Sequence, residues 1–202
     1  MTTAAKKQIT LEDLMPAHEY EKIRKDHKQK LIPVKKNRRL QVGPYATFYF
    51  ENYDTMWAQI HEMLYIEKGG KEQARDELEA YNPLIPNGAE LVATFMIEID
   101  DPVRRDFILR QLGHIEEKIY LSVGGEKIYA VPEQEVERTT EDGKTSAIHF
   151  LHFPLNSGQI TAFRDVDNDI MLCIEHSQYG HMAVISGETR LSLAQDLDNC
   201  SP

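Results

Sequence analysis

The segment Asn37–Glu67 constrains the fold of this chain more than any other. It reads NRRLQVGPYATFYFENYDTMWAQIHEMLYIE, with two strand-like runs separated by Gly43-Pro44 and followed by apolar residues at helical spacing. Aromatic and branched residues favour strands, and a Gly-Pro pair favours a turn between them. Asp54 is a suitable cap for the helix that follows. The segment therefore predicts two strands, a turn and an amphipathic helix with no linker between them.

The remaining sequence predicts an α+β fold: a single domain with a mixed, mostly antiparallel sheet packed by several helices. The clearest hairpin lies at Gly124-Gly125, because two glycines accept the positive φ angles that a two-residue hairpin turn requires. A helix from Pro16 is expected to stop at Pro33. One domain is expected over 1–202, with disordered ends at 1–8 and 198–202. Further strands are predicted at 91–99, 118–123, 126–131, 145–153, 170–175 and 182–185. Further helices are predicted at 10–14, 74–81, 102–112, 156–164 and 186–197.

Composition bears on the expected cellular location and on the role of the cysteines. The 202 residues are 41% hydrophobic, which is enough for a core, and no apolar run approaches the roughly 18 to 20 residues of a membrane span. The start of the chain lacks the apolar stretch of a secretory signal, so a cytoplasmic location is expected and no membrane partner. The two cysteines form no CxxC pair, so neither a disulfide framework nor an all-cysteine metal site is predicted.

Charge is distributed unevenly along the chain. Residues 1–39 hold 11 Lys and Arg against 5 Asp and Glu, whereas the remainder holds 12 against 28 within a net charge of −10. A basic segment on an acidic body could dock an acidic partner, or could be solvated or paired with its own body. Nucleic acid is disfavoured because no aromatic residue is interleaved with the basic cluster. The predicted partner-binding residues are Lys35, Lys36, Arg38, Arg39 and Trp57.

Histidines near the C-terminal half form the strongest candidate metal set. The predicted ligands are His149, His176, His181, Cys173 and Glu175, which could hold iron, zinc or a haem. The odd spacing of His149 and His152 places them on opposite faces of a strand. Cys173 and Glu175 would likewise face away from His176. The alternative is that each is an ordinary histidine with a satisfied hydrogen bond.

A second, weaker candidate lies on the predicted helix. His61-Glu62 begins the zinc-helix pattern H-E-x-x-H, but Tyr65 replaces its second histidine. His61, Glu62 and Glu67 remain candidates for proton transfer or metal binding. The sequence contains no Glu-x-x-His, phosphate-binding loop, dinucleotide-binding or serine-hydrolase motif, so it names no reaction class and leaves open whether the protein is an enzyme.

The strings NRRLQVGPYATFYFENYDTMWAQIHEMLYIE, YNPLIP, ATFMIE, SAIHFLHFPL and IEHSQYGH resemble a bacterial family known as domain of unknown function 3501. The resemblance covers roughly residues 9–197. It implies a genomic context, since genes of that family commonly lie beside those for rubrerythrin and an iron–sulfur oxidoreductase. The expected function is therefore an accessory in a redox or peroxide-stress system that docks such an iron-containing partner. The alternative is a metal- or haem-binding redox protein that uses the histidines.

Overall fold

Two antiparallel sheets pack face to face, and helices cover the outer side of the larger sheet. The computed structural model describes residues 6–133, 138–140 and 142–198. The helices are α1 Ala17–Asn37, α2 Tyr53–Glu67, α3 Gly70–Tyr81, α4 Pro102–Leu109, α5 Ser157–Arg164 and α6 Gly187–Ala194. The strands are β1 Arg39–Val42, β2 Ala46–Phe50, β3 Glu90–Ile97, β4 Ile119–Val123, β5 Glu126–Tyr129, β6 Val131–Pro132, β7 Ile148–Pro154, β8 Ile170–His176 and β9 Tyr179–Val184.

The strand order confirms an α+β fold. The larger sheet has the order β1-β2-β3-β7-β6 and the smaller has the order β5-β4-β8-β9, with every pair antiparallel. Strand β7 is interior, between β3 and β6, as its apolar sequence predicts. The turn at Gly124-Gly125 joins β4 to β5, and both glycines have positive φ angles of 57° and 88°.

The main core lies between the sheets. Phe48 and Phe95 stack there, with ring centroids 4.8 Å apart, and both are fully buried. Leu121 and Leu172 from the smaller sheet belong to the same cluster. Because side chains alternate along a strand, the intervening residues of the larger sheet face the helices.

The opposite face of the larger sheet is buried as well. Val92 and Phe150 pack there against Met56, Ile60 and Leu84 of the helical layer. The larger sheet is therefore covered on both faces, fully on the side of the smaller sheet and partly on the helical side. This fixes its register, because a one-residue slip would move the fully buried apolar set to the partly covered face.

Tyr179 joins the two sheets at one edge. Its hydroxyl accepts hydrogen bonds from the backbone N–H groups of Tyr45 and Ala46, at 2.9 and 3.0 Å, and donates one to the carbonyl of Val42 at 2.8 Å. The turn between β1 and β2 is thus held by a side chain of β9. Gly43 is needed in this turn, because its φ is +72° and a Cβ atom would lie 2.6 Å from the His181 ring.

Three local predictions differ from the structure. Helix α1 continues through Pro33 to Asn37 instead of ending there. Pro33 is exposed, so the carbonyl that loses its helical partner can bond water. The cap of α2 is Asn52, whose side chain accepts from Thr55 N–H, rather than Asp54. The polar connection after His176 is only two residues long, since β9 begins at Tyr179.

The predicted ends and loops are described in part. Of the predicted N-terminal arm, residues 6–8 are described, and Lys7 pairs with Asp198 at 2.6 Å. Between β6 and β7, residues 134–137 and 141 lie outside the described residues. No helix in the ranges 6–133, 138–140 and 142–198 is long and apolar enough to cross a bilayer.

We expect Tyr179→Phe to lower the free energy of unfolding by about 1–3 kcal/mol, because two buried backbone N–H groups lose their acceptor. Urea denaturation measures the change. Tyr129→Phe is the matched control: Tyr129 is 45% exposed, and its loss should cost about 0.5 kcal/mol or less. Equal effects of the two substitutions would show that Tyr179 does not hold the two sheets together.

Candidate functional site

Helix α1 presents a basic surface. Its 21 residues contain seven Lys and Arg against three Asp and Glu, in a chain whose net charge is −10. Five of its lysines are exposed and form no ion pair with any described residue; these are Lys22, Lys25, Lys30, Lys35 and Lys36. We name these five lysines the basic face of α1; Lys22, Lys25 and Lys36 lie within about 60° of one another around an ideal helix, with Lys30 and Lys35 to either side. Two of them, Lys35 and Lys36, were predicted from the sequence to bind a partner.

A cluster of ion pairs and hydrogen bonds between α1 and α2 holds the two helices together. The Glu62 carboxylate accepts hydrogen bonds from the Tyr20 hydroxyl at 2.8 Å and from Arg24 at 2.9 and 2.8 Å, and it pairs with Lys28 at 2.7 Å. Arg24, helped by Lys28 and Tyr20, lowers the pKa of Glu62 to about 2. Glu62, a candidate for proton transfer from the sequence, is therefore an ionised structural link between two helices.

His61 is enclosed by aromatic rings beside this link. Its ring lies 3.8 Å from that of Trp57 and 4.9 Å from that of Tyr20, centroid to centroid, and it is 1% exposed. Nε2 accepts from Met15 N–H at 3.1 Å, and Nδ1 lies 2.8 Å from the Trp57 carbonyl, to which it donates. Burial lowers the pKa of His61. Both nitrogens are occupied within the protein, which leaves no free ligand atom on this side chain.

Arg38, which the sequence offers as a partner-binding residue, is instead paired inside the protein. Arg38 is 2% exposed, because its guanidinium group donates to the carbonyls of Phe50 and Glu51, each at 2.8 Å, and to Ser192 O at 3.2 Å. It also pairs with the buried Asp196. A group with this many internal acceptors anchors the body of the protein and is not part of a contact surface.

The other predicted contact residues remain accessible to different degrees. The Arg39 side chain is 49% exposed and lies over the Tyr49 ring, with its guanidinium 3.4 Å from Glu98. Trp57 is half-buried, and its indole N–H donates to Asp13 O at 3.0 Å.

Glu67, a candidate for proton transfer or metal binding, is exposed and accepts from Gln73 at 2.9 Å.

The predicted metal ligands do not converge. The register of β8 and β9 places His176 and His181 on one face of the smaller sheet, whereas Cys173 and Glu175 lie on the other. His149 is on β7 in the larger sheet. Among the described residues, no group of three or more His, Cys, Asp and Glu side chains could hold a metal ion. The five predicted ligands therefore do not fit a shared metal or haem site.

Each of these ligands has local contacts of its own. His176 Nδ1 accepts from Gln178 N–H at 3.2 Å, and its Nε2 lies 3.3 Å from Gly113 O. Glu175 pairs with Lys127 at 2.6 Å, and this lysine lowers the pKa of the carboxyl group. Burial raises the pKa of the Cys173 thiol, so the protonated form is favoured.

His149 lies in the core with an acidic neighbour that the sequence did not indicate. Its ring stacks on Phe95 at 5.5 Å, and Nε2 donates to Ser146 O at 2.9 Å. Nδ1 lies 3.7 Å from the carboxylate of Glu116, and neither atom has a hydrogen-bond partner. Burial lowers the pKa of His149, although Glu116 opposes that effect. Glu116 precedes β4 in a short 3-10 turn, where no periodic pattern marks it.

His152 lies on the opposite face of β7 from His149, which confirms the prediction from their odd spacing. Its Nδ1 bonds the Glu90 carboxylate at 3.0 Å, and this hydrogen bond raises the pKa of His152. The same strand therefore carries one histidine that resists protonation and one that favours it.

We expect Arg38→Met to lower the free energy of unfolding by about 3–5 kcal/mol, because the Asp196 carboxylate would be left buried without its partner. Arg39→Met is the matched control on the neighbouring residue, and its exposed pair should contribute no more than about 1 kcal/mol. Chemical denaturation compares the two. A small effect at Arg38 would contradict the anchoring role of its guanidinium group.

We expect the histidines to titrate in an order set by their surroundings. In an NMR titration from high to low pH, the His152 ring should protonate above its ordinary pKa of 6.5, and His61 and His149 only below it. His152 then adds stability that is complete below pH 6.5 and is lost as the pH rises through its folded-state pKa. His61 and His149 reduce stability as the pH falls below 6.5, because the unfolded chain binds protons first. Glu90→Gln should return His152 toward 6.5, and an unchanged titration would contradict the assigned cause.

Comparison with known proteins identifies the family and a related fold. The sequence profile of a family described as "Protein of unknown function (DUF3501)" matches residues 8–197. A protein of unknown function from Burkholderia pseudomallei K96243, whose crystal structure was determined at 1.90 Å resolution, is 34% identical and superposes with a TM-score of 0.87. The match covers 95% of this chain and 100% of that one. No functionally curated protein is significantly similar. This chain therefore belongs to the DUF3501 family.

Proposed function

We propose that this protein is a non-catalytic accessory that docks an acidic, iron-containing redox partner through the basic face of α1. The observation that carries the proposal is the group of five exposed lysines on one helix without an acidic partner among the described residues. Lysines that serve only internal stability would pair with the acidic body, as Lys28 does with Glu62.

The basic face is held in place before any partner arrives. Arg24 and Lys28 bind Glu62 on α2, and the rings of Tyr20 and His27 pack on Trp57, at 6.0 and 4.8 Å. Helix α1 is therefore positioned by its own side contacts, which leaves the lysines free to meet a partner. A fixed cluster of like charges raises the association rate with an oppositely charged protein more than it raises the final affinity.

The redox identity of the partner rests on gene context. Genes of the family that the sequence resembles commonly lie beside those for rubrerythrin and an iron–sulfur oxidoreductase. A rubrerythrin-like protein or such an oxidoreductase with an acidic surface is therefore the proposed partner. The sequence of this chain has no Glu-x-x-His or CxxC motif of its own, which is consistent with an accessory role beside a partner that carries the iron.

The histidine-based alternative has less support. A metal- or haem-binding redox protein needs ligands that meet at one point, whereas the five predicted ligands are distributed over two sheets and both faces of the smaller one. Partner docking requires only the exposed charge that the helix carries. Docking is therefore the better-supported function.

We expect the purified protein to bind a rubrerythrin from the same bacterium, with affinity that falls as the salt concentration rises from about 0.02 M to about 0.15 M. The triple variant Lys22→Glu, Lys25→Glu, Lys36→Glu should slow association and weaken binding by at least about tenfold. Surface plasmon resonance measures both rates, and the iron–sulfur oxidoreductase serves as the second analyte.

The control carries the same change in charge elsewhere. Lys68→Glu, Lys71→Glu, Arg75→Glu alters three exposed cations at the junction of α2 and α3 and should leave partner binding unchanged. If both triple variants weaken binding equally, only net charge matters and α1 is not the docking surface. If neither redox protein binds at low salt, the proposed function is wrong.

A further inference from the structure

We infer that a groove in the helical layer binds a free fatty acid. The groove has a volume of about 810 Å³ and lies between the N-terminal segment, the start of α1, the end of α2 and α3. That volume falls in the range of about 300–1,000 Å³ that small-molecule sites occupy. This inference is separate from partner docking, since its residues are not those of the basic face.

The floor of the groove is apolar. It is lined by Leu11, Leu14, Met15, Pro16, Ala17, Leu64 and Ala74. None of these side chains can form a strong hydrogen bond, and Leu11 is 49% exposed although it is a large apolar residue. A surface of this kind suits an alkyl chain better than a peptide, whose backbone N–H and C=O groups would be left without partners.

The rim of the groove is cationic. Lys68, Lys71 and Arg75 line it, all three are exposed, and none forms an ion pair with a described residue. Lys71 and Arg75 are one turn apart on α3, and like charges at this spacing repel each other. Glu12 is the one acidic residue in the described lining. An anionic head group between the three cations would relieve their repulsion.

The backbone at the rim adds to this preference. Lys68 ends α2 in the left-handed conformation, with φ of 56°, and Gly70 follows with φ of 77°. Gly70 is the first residue of α3, and the preceding Gly69 has no side chain to cap the helix, although Gln73 Oε1 accepts from the Gly69 N–H at 2.7 Å. Gly70 and Lys71 line the groove, so the positive end of the α3 dipole lies at the same rim as the cations and favours an anion there.

Together these features specify a ligand with one anionic end and one apolar chain. A fatty-acid carboxylate would lie at the start of α3 between Lys68, Lys71 and Arg75, with its chain along Leu14 and Leu64. Charge complementarity selects the carboxylate over a neutral or cationic head group of the same chain length.

Isothermal titration calorimetry with dodecanoate, dodecanol and dodecyltrimethylammonium tests the inference on the delipidated full chain. We expect dodecanoate to bind at one site per chain and at least about tenfold more tightly than the other two. Lys68→Glu, Lys71→Glu, Arg75→Glu should reduce dodecanoate affinity by at least about tenfold, because the head group would meet acidic side chains. The triple variant Lys22→Glu, Lys25→Glu, Lys36→Glu should leave dodecanoate binding unchanged, although it weakens partner docking.

A second variant tests the apolar floor. Ala74→Phe should fill the groove and abolish dodecanoate binding, with circular dichroism to check that the protein folds. The rim variant alters only exposed residues, so it decides the question if Ala74→Phe does not fold. No binding of dodecanoate, equal binding of dodecanol, or an unchanged affinity of the rim variant would each overturn the inference. Binding to anionic phospholipid vesicles without binding of dodecanoate monomer would assign the groove to membrane surfaces instead.

Discussion

The buried guanidinium group of Arg38 is the interaction on which the rest of this structure depends. It follows the last residue of α1 and donates to the carbonyls at the end of β2 and to Ser192 in α6, while its charge is neutralised by Asp196. One side chain therefore determines how the N-terminal helix, the first hairpin and the C-terminal helix meet. A planar group with five donors can satisfy these acceptors together, which an ammonium group cannot do.

The position of α1 follows from that anchor and from the contacts along its length. Glu62 forms ion pairs with the two cations of α1 that face α2, and the rings of Trp57 and His61 fill the space beside them. The residues that resemble a zinc helix in sequence are thus used to join two helices. The five lysines of the basic face are exposed and form no ion pair with a described residue. The docking function is proposed for this surplus of charge.

Both faces of the larger sheet are covered by other elements, and this explains why both proposed sites lie on helices. One face of this sheet packs on the smaller sheet and the other on the helical layer, so most of its side chains contact other residues of the protein. The outer surfaces of α1 and α3 are available for binding. Because a sheet of this kind tolerates little change, function is more easily placed on the layer that covers it.

The sequence by itself determined the local elements, because their causes lie within a few residues. The two glycines at the β4–β5 turn, the alternation that separates His149 from His152 and the apolar stripe of α2 could each be read from a short window. Helix α1 extended past Pro33 because tertiary contacts such as those of Arg38 outweigh the loss of one hydrogen bond.

Only the tertiary structure decided which side chains meet. Arg38 and Arg39 are adjacent in sequence and equal in charge, yet one is buried and the other exposed, because Asp196 and Ser192 reach the first from more than 150 residues away. The pairing of His149 with Glu116 and the groove rim at Lys71 depend on similar distant packing. A local pattern encodes the direction of a side chain, whereas its environment comes from segments that the pattern does not contain.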